Sequence, residues 1–289
     1  MDTPKWLDTL LYPFRHHTWQ SGHGLLHYVD EGEGDPILFV HGTPTWSFLW
    51  RRQLRALSRQ FRCIAPDHLG FGLSEKPAGF SYTPEGHADN LERLIEHLQL
   101  KNITLVVHDF GGPIGLRYAI RHPDNVKRLV ILNSWMWSLE GEKTMMKVSR
   151  FMAGPIGKFL YLQLGFSARV LLPLGYHARK HLTQDIRQHY LKPLAQPKSR
   201  SGTWMFAKAL HQASTYYAQD LWEKREQLKD IPKLILWGEK DKLLPLHFLD
   251  KWKQAFPEAK VVKFDAGHFL QEEKGGEITD QIRSFLLDT

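Results

Sequence analysis

Short apolar runs, each closed by Gly, Pro, Asp or Asn, alternate along the chain with longer amphipathic stretches. The runs at 36–40, 63–65, 103–107, 129–132, 234–237 and 261–264 are almost continuously hydrophobic, the pattern of strands covered on both faces. Upstream, 18–20 and 25–29 flank Ser21-Gly22-His23-Gly24 and predict an antiparallel hairpin leading into the same sheet. Helical periodicity falls near 47–58, 85–98, 112–121, 246–255 and 277–286. Repeated strand-helix units predict an α/β fold, with an eight-stranded, mostly parallel sheet flanked by helices. Between Leu132 and Leu234 the strand rhythm stops for about a hundred residues, against ~2–6 for an ordinary connection. A helical insertion is therefore expected over 135–224, set into a core made of 1–134 and 225–289.

Composition narrows the class. In 289 residues, 42% are hydrophobic and 24% charged, which fits one large globular domain with an insertion and excludes a disordered or collagen-like chain. Cys63 is the single cysteine, so no intramolecular disulfide or thiolate zinc site can form, and it reads as core. No run approaches the ~18 apolar residues of a membrane span, and Met1 to Asp8 lacks a basic-then-apolar leader; a cytoplasmic protein without an integral membrane segment is expected. The formal charge of +7 is uneven: residues 141–200 hold eleven Lys/Arg against two acids, +9, leaving −2 for the remainder. These basic residues are dispersed among helix formers with no groove-reading motif, so the charge is not a nucleic-acid signal. It is expected to raise the potential around a pocket mouth, favouring anionic substrates, products or a membrane surface.

Candidate chemistry lies where strands end. Val106-Val107-His108-Asp109-Phe110-Gly111-Gly112-Pro113 runs a buried strand into a Gly-Gly pair and a helix, so Asp109 occupies a sharp strand-to-helix turn of the nucleophile-elbow kind, with Asp where Ser usually stands. A carboxylate there can attack carbon and form an ester, or simply cap the following helix. An ester intermediate needs an activated water, hence a histidine base with an orienting acid. His268, in Asp265-Ala266-Gly267-His268-Phe269, follows the last strand, and Asp241 follows the one before. The order nucleophile, acid, base is that of α/β hydrolases. After the strand at 36–40, the His41-Gly42-Thr43 turn supplies the backbone N–H of Thr43, to face that of Phe110 in an oxyanion hole.

With these stretches in view, the chain resembles the haloalkane dehalogenase family of α/β hydrolases over most of its length. The resemblance rests on Tyr12-Pro13-Phe14, His27-Tyr28-Val29-Asp30-Glu31-Gly32, His41-Gly42-Thr43-Pro44-Thr45-Trp46-Ser47, Pro66-Asp67-His68-Leu69-Gly70-Phe71-Gly72-Leu73-Ser74, His108-Asp109-Phe110-Gly111-Gly112, Trp237-Gly238-Glu239-Lys240-Asp241 and Ala266-Gly267-His268-Phe269. It implies Asp109 as nucleophile, His268 as base, Asp241 as acid, and the insertion as a cap that shapes the pocket. Asn133-Ser134 stands where other branches carry a glutamate, which points to the branches that place the acid late.

Two departures bear on substrate. The family holds the departing halide with a tryptophan directly after the nucleophile and commonly an asparagine after the His-Gly turn; this chain has Phe110 and Thr43. Phenylalanine has no N–H donor, and loss of one such donor typically costs roughly 3 kcal/mol of transition-state stabilisation. His41, Trp135, Trp137 and Trp204 are candidate pocket residues, the tryptophans as replacement donors. Related enzymes with the same nucleophile open epoxides, with cap tyrosines as acids, or process β-lactones; Tyr161, Tyr176, Tyr190, Tyr216 and Tyr217 all fall in the insertion. The expected substrate is a small hydrophobic molecule, with no cofactor and no metal. A shell of this fold can also serve as a ligand-binding receptor, but one that has lost its triad, whereas all three residues are present here. Gly70-Phe71-Gly72 lacks the third glycine of a dinucleotide fingerprint, and neither His23/His27 nor His177/His181 has the adjacent glutamate of a zinc hydrolase.

Overall fold

A computed structural model describes residues 3–288; Met1 and Asp2, where the stretch read for a leader begins, and Thr289 lie outside the described residues. Eight strands form one sheet: β1 (His17–Gln20), β2 (Leu25–Glu31), β3 (Pro36–Val40), β4 (Arg62–Pro66), β5 (Ile103–Asp109), β6 (Val126–Ser134), β7 (Lys233–Gly238) and β8 (Lys260–Phe264). Their order is β1-β2-β4-β3-β5-β6-β7-β8. The pairs β1/β2 and β2/β4 are antiparallel and all others parallel. Every residue of β5 is buried, as expected of a central strand with both faces covered. The two-residue period divides the core: Leu38, Val40, Leu105 and Val107 pack on one side of the sheet, Ile37, Phe39, Val106 and Val130 on the other.

The helices are α1 (Arg51–Leu57), α2 (Pro84–His97), α3 (Gly111–Arg121), α4 (Lys143–Ala153), α5 (Pro155–Leu162), α6 (Leu172–Gly175), α7 (Gln184–Leu191), α8 (Ser201–Gln212), α9 (Leu246–Ala255), α10 (Leu270–Glu273) and α11 (Gly275–Asp288). Local chemistry explains where they begin. Thr83 caps α2 by accepting from the Gly86 N–H, with Pro84 in the first turn and Glu85 beside the positive end of the helix dipole. The helix expected over 47–58 is instead a 3-10 turn, Ser47–Trp50, followed by α1. The Asp67 carboxylate accepts from the Ser47 N–H at 2.8 Å and so satisfies the first free donor of that turn.

The segment between β6 and β7 carries α4 to α8 and is tied to the sheet's C-terminal edge by buried polar links. Gly175 O accepts from the His268 N–H at 2.7 Å, and the Trp46 indole donates to His189 O at 2.9 Å. Tyr190 donates to Glu272, which itself forms a two-pronged pair with Arg51 at 2.6 and 2.7 Å. No described helix is long and apolar enough to cross a membrane. Cys63 is fully buried in β4.

Candidate active site

Asp109 closes β5 with φ = +53°, a left-handed conformation that costs energy for a residue with a β-carbon and is held by its surroundings. It lifts the carboxylate off the strand while α3 starts two residues later. The register of β5 against β6 shifts at this point, and the Ser134 hydroxyl donates to Asp109 O at 2.6 Å. Opposite stands Gly42, where any β-carbon would collide with the Asp109 carboxylate. That missing side chain lets the Thr43 N–H reach Asp109 Oδ1 at 2.7 Å, and the Phe110 N–H also donates to the carboxylate. The two backbone donors expected of an oxyanion hole thus converge on one oxygen-bearing group. Beneath the turn, His41 is fully buried: its Nδ1–H donates to Gly42 O at 2.7 Å and its Nε2 accepts from the His68 N–H at 3.0 Å.

His268 faces the other carboxylate oxygen, with Nε2 at 3.4 Å from Asp109 Oδ2, longer than an ordinary hydrogen bond. The imidazole rests against the carboxylate without being locked to it. On its far side Nδ1–H donates to Asp241 Oδ2 at 2.7 Å. Asp241 is fully satisfied: Oδ2 also accepts from Asn133 Nδ2 at 2.6 Å, and Oδ1 accepts from the N–H groups of Leu243 and Leu244 at 2.7 and 3.0 Å. Asn133, strained at φ = +30°, uses its own Oδ1 to accept from the Gly238 N–H at 2.8 Å, and so ties the ends of β6 and β7 to the acid. The loop bearing His268 is pinned by Glu273, which accepts from the N–H groups of Gly267, His177 and Ala178.

The electrostatics follow from this packing. Burial pulls His268 toward neutrality, but the charge of Asp241, its hydrogen bond to Nδ1 and the nearby charge of Asp109 outweigh it, and its pKa is raised to about 10. Burial likewise works against the Asp109 carboxylate, yet its closeness to His268 and the Phe110 N–H hold its pKa below the usual carboxylate value. His108 is desolvated down to about 3, so it is neutral and its Nε2–H donates to His268 O at 2.9 Å.

Asp109 opens into a cavity of about 390 Å³. Met145, Val148 and Met152 of α4 line one wall, and Leu171, Leu210 and Phe269 are also among the lining residues, while Glu142 and Lys242 are the charged ones besides Asp109. Such an apolar lining with few polar groups suits a small neutral ligand. Among the predicted pocket residues, Thr43, Phe110 and Trp135 line the cavity. His41, Trp137 and Trp204 do not. His41 is occupied below the turn; Trp137 packs against Trp222, Phe248 and Trp252; and Trp204 donates to Met152 O from outside the helix pair it joins. Phe110 stacks on Phe206 at 4.3 Å and meets the edge of Trp135 at 4.8 Å. Trp135 Nε1, Thr43 Oγ1 and Tyr217 OH are buried without a hydrogen-bond partner, and Tyr161, which lines the cavity, and Tyr217 both feel the Asp109 charge. Sequence reasoning missed the bond from Asn133 to Asp241, although a polar residue ending a buried strand was a signal for it; nothing local singled out Phe206 or the wall of α4. Among the described residues no group of three His, Cys, Asp or Glu is placed to hold a metal ion.

A strained strand-to-helix turn, paired backbone donors and a histidine on the last loop of this sheet define an α/β hydrolase. The chain belongs to that family: the pattern described as the alpha/beta hydrolase fold matches residues 35–275. It is 36% identical over 302 residues to a cis-3-alkyl-4-alkyloxetan-2-one decarboxylase of Shewanella oneidensis, covering 98% of this chain and 91% of that one. It is equally 36% identical over 268 residues to haloalkane dehalogenase 2 of Mycobacterium tuberculosis, covering 92% and 93%. Among solved structures, the haloalkane dehalogenase DatA of Agrobacterium tumefaciens superposes with a TM-score of 0.84 at 26% identity, covering 95% of this chain and 96% of that one. DbeA of Bradyrhizobium elkani superposes with a TM-score of 0.85 at 24% identity, covering 96% and 100%, a likeness of fold. The protein is thus an enzyme of the α/β-hydrolase family with haloalkane dehalogenase-like relatives.

Proposed function

We propose that Asp109 attacks an electrophilic carbon of a small lipophilic substrate and forms a covalent ester, with residues 135–224 acting as a cap over a core of 1–134 and 225–289. The observation that carries this reading is the placement of a low-pKa carboxylate, a buried His–Asp pair and two backbone N–H donors at the floor of one apolar cavity. Attack by Oδ2 makes a carbon–oxygen bond as the leaving group departs with its electron pair. The ester carries no charge, so His268 loses the Asp109 influences that keep it protonated, while burial and Asp241 remain. His268 releases its proton, and its neutral Nε2 takes one from water attacking the ester carbonyl. The Thr43 and Phe110 N–H groups hold the resulting oxyanion, and its collapse expels the alcohol and regenerates Asp109.

A second reading concerns the electrophile, and the Phe110 and Thr43 positions favour it. A four-membered lactone carries its leaving group within the ring: attack at the carbon bearing the ring oxygen releases strain and leaves a carboxylate, which spreads its own charge and needs no side-chain halide donor. From that carboxylate ester two outcomes balance. Water delivered through His268 gives a β-hydroxy acid; alternatively the carbon–carboxylate bond breaks, its electrons form an alkene, Asp109 leaves and CO2 is released. The decarboxylase name of the Shewanella relative supports the latter.

The test is trapping. His268→Asn, exposed separately to 1-bromobutane, an epoxide and a dialkyl β-lactone, is weighed by mass spectrometry after peptide digestion. An adduct on the Asp109 peptide is the expected result and names the electrophile. With the lactone, continued alkene release by the variant marks collapse without water. Absence of both an adduct and any product with all three compounds overturns the proposal.

A further inference from the structure

Ten large hydrophobic side chains are exposed among the described residues, and seven of them lie between positions 148 and 174. Four of them follow the helical period. On α4, Val148 and Phe151 stand at i, i+3 and are 50% and 52% exposed; on α5, Ile156 and Phe159 repeat the spacing at 62% and 55%. Both helices pack on α8, as Ser149 shows by donating to Ala207 O, so their apolar pairs are turned away from a face that is already covered. Monomeric soluble proteins rarely gather exposed apolar side chains this densely without a use for them.

Charge accompanies these residues. Residues 143–184 carry seven Lys/Arg and no acid. Lys147 and Arg150 are exposed neighbours of the first apolar pair, and Lys158 stands between the two members of the second. Long basic side chains beside large apolar ones can keep their charged ends at a polar boundary while the stems and rings enter an apolar layer. Trp204 fits the same boundary: its ring lies against Lys158 and Lys208 at 5.2 and 4.6 Å, the kind of amphipathic aromatic found at membrane interfaces.

We propose that the outer face of α4 and α5 docks on an anionic phospholipid bilayer. Phe151, Ile156 and Phe159 insert among the acyl chains at the headgroup boundary, and Lys147, Arg150 and Lys158 meet lipid phosphates. Charge complementarity selects this occupant: a second copy of the chain would bring another cationic, acid-free face against this one. The docking face also borders the cavity, because Val148 both lines it and is half exposed, which would bring a lipophilic compound dissolved in a bilayer close to it. The docking does not depend on which electrophile Asp109 attacks.

Vesicle flotation of the full chain tests it. Vesicles of phosphatidylcholine mixed with phosphatidylglycerol should carry the protein upward, phosphatidylcholine alone should do so poorly, and salt should weaken the binding. Each basic residue near an anionic surface changes partitioning about fivefold, so Lys147→Glu with Arg150→Glu should lower binding by at least about tenfold. Phe151→Ser with Phe159→Ser should lose binding to a similar degree, with Leu10→Ser, exposed elsewhere, as the unaffected control. Unchanged thermal melting shows that these surface variants remain folded. Failure of the wild type to float, or equal binding by all variants, overturns the proposal. So does a wild-type dimer in sedimentation that Phe151→Ser dissociates, which would show that a second copy covers the face.

Discussion

If the charge on Asp109 helps to keep His268 protonated, removing that charge without changing the shape of the side chain should lower the pKa of His268. Asp109→Asn does this. In the folded protein His268 stands at about 10 against an ordinary 6.5, a difference that corresponds to about 5 kcal/mol favouring the imidazolium. Because the folded value is the higher one, this stabilisation is complete below about pH 6.5 and is lost as pH rises toward 10. Asp241 supplies the largest upward influence and survives the substitution, whereas the nearby charge of Asp109 does not, and the downward pull of burial is untouched. The variant should therefore lose at least ~1.4 kcal/mol of this attraction, bringing the His268 titration down by a pH unit or more. The direct assay is a pH titration of the His268 ring resonances by NMR in both proteins. Urea unfolding at several pH values adds the linked quantity: the wild type should lose stability between neutrality and pH 10 more steeply than the variant. The amide also imitates the neutral ester of the proposed mechanism, in which a lowered His268 would act as a base once the substrate is attached. A wild-type His268 titrating near 6.5, or one that Asp109→Asn leaves unmoved, refutes the reasoning.

Two further predictions follow from contacts described above. Phe110→Trp, with Phe206→Leu to make room where the two rings now stack at 4.3 Å, restores an N–H beside the leaving group and should raise bromide release from 1-bromobutane about tenfold or more; unchanged release would show that the missing donor is not what limits dehalogenation. Arg51→Met leaves Glu272 buried without its two-pronged partner and should destabilise the fold by about 3–5 kcal/mol, seen as a melting temperature lower by roughly 10 °C. A melting temperature within a degree or two of wild type would mean that the pair, and Tyr190 bonded to the same carboxylate, contribute little to holding the insertion on the core.

What could be read from the sequence, and what could not, divides along a physical line. The sheet was legible because its strands are short apolar runs bounded by residues that break them, and because a parallel strand buried on both faces leaves little freedom in its composition. The placement of Asp109, Asp241 and His268 was legible for the same reason: each stands at the end of a strand or a few positions beyond one, and the backbone alone brings strand ends to one edge. Gly42 shows how little is left to the side chains there, since any β-carbon at that position meets the Asp109 carboxylate. The pocket wall follows a different rule. Met145, Val148 and Met152 are an ordinary amphipathic stripe, and whether such a stripe faces a cavity, a neighbouring helix or solvent depends on how α4 is rotated against α8, which no local pattern encodes. The tryptophans illustrate the cost. Trp135 and Trp137 are two residues apart and both buried, yet one edges Phe110 inside the cavity while the other packs with Trp222 and Trp252 away from it. Asn133 lies between these cases. It ends a buried strand, as Asp109 does, but its role depends on the loop after β7 turning Asp241 back toward it, so its partner became visible only in three dimensions. The placement of residues at strand ends is thus inherited from the sheet, whereas the wall of the cavity is set by helix packing in the segment between β6 and β7, and under the proposed mechanism a change of substrate there would need no change in Asp109.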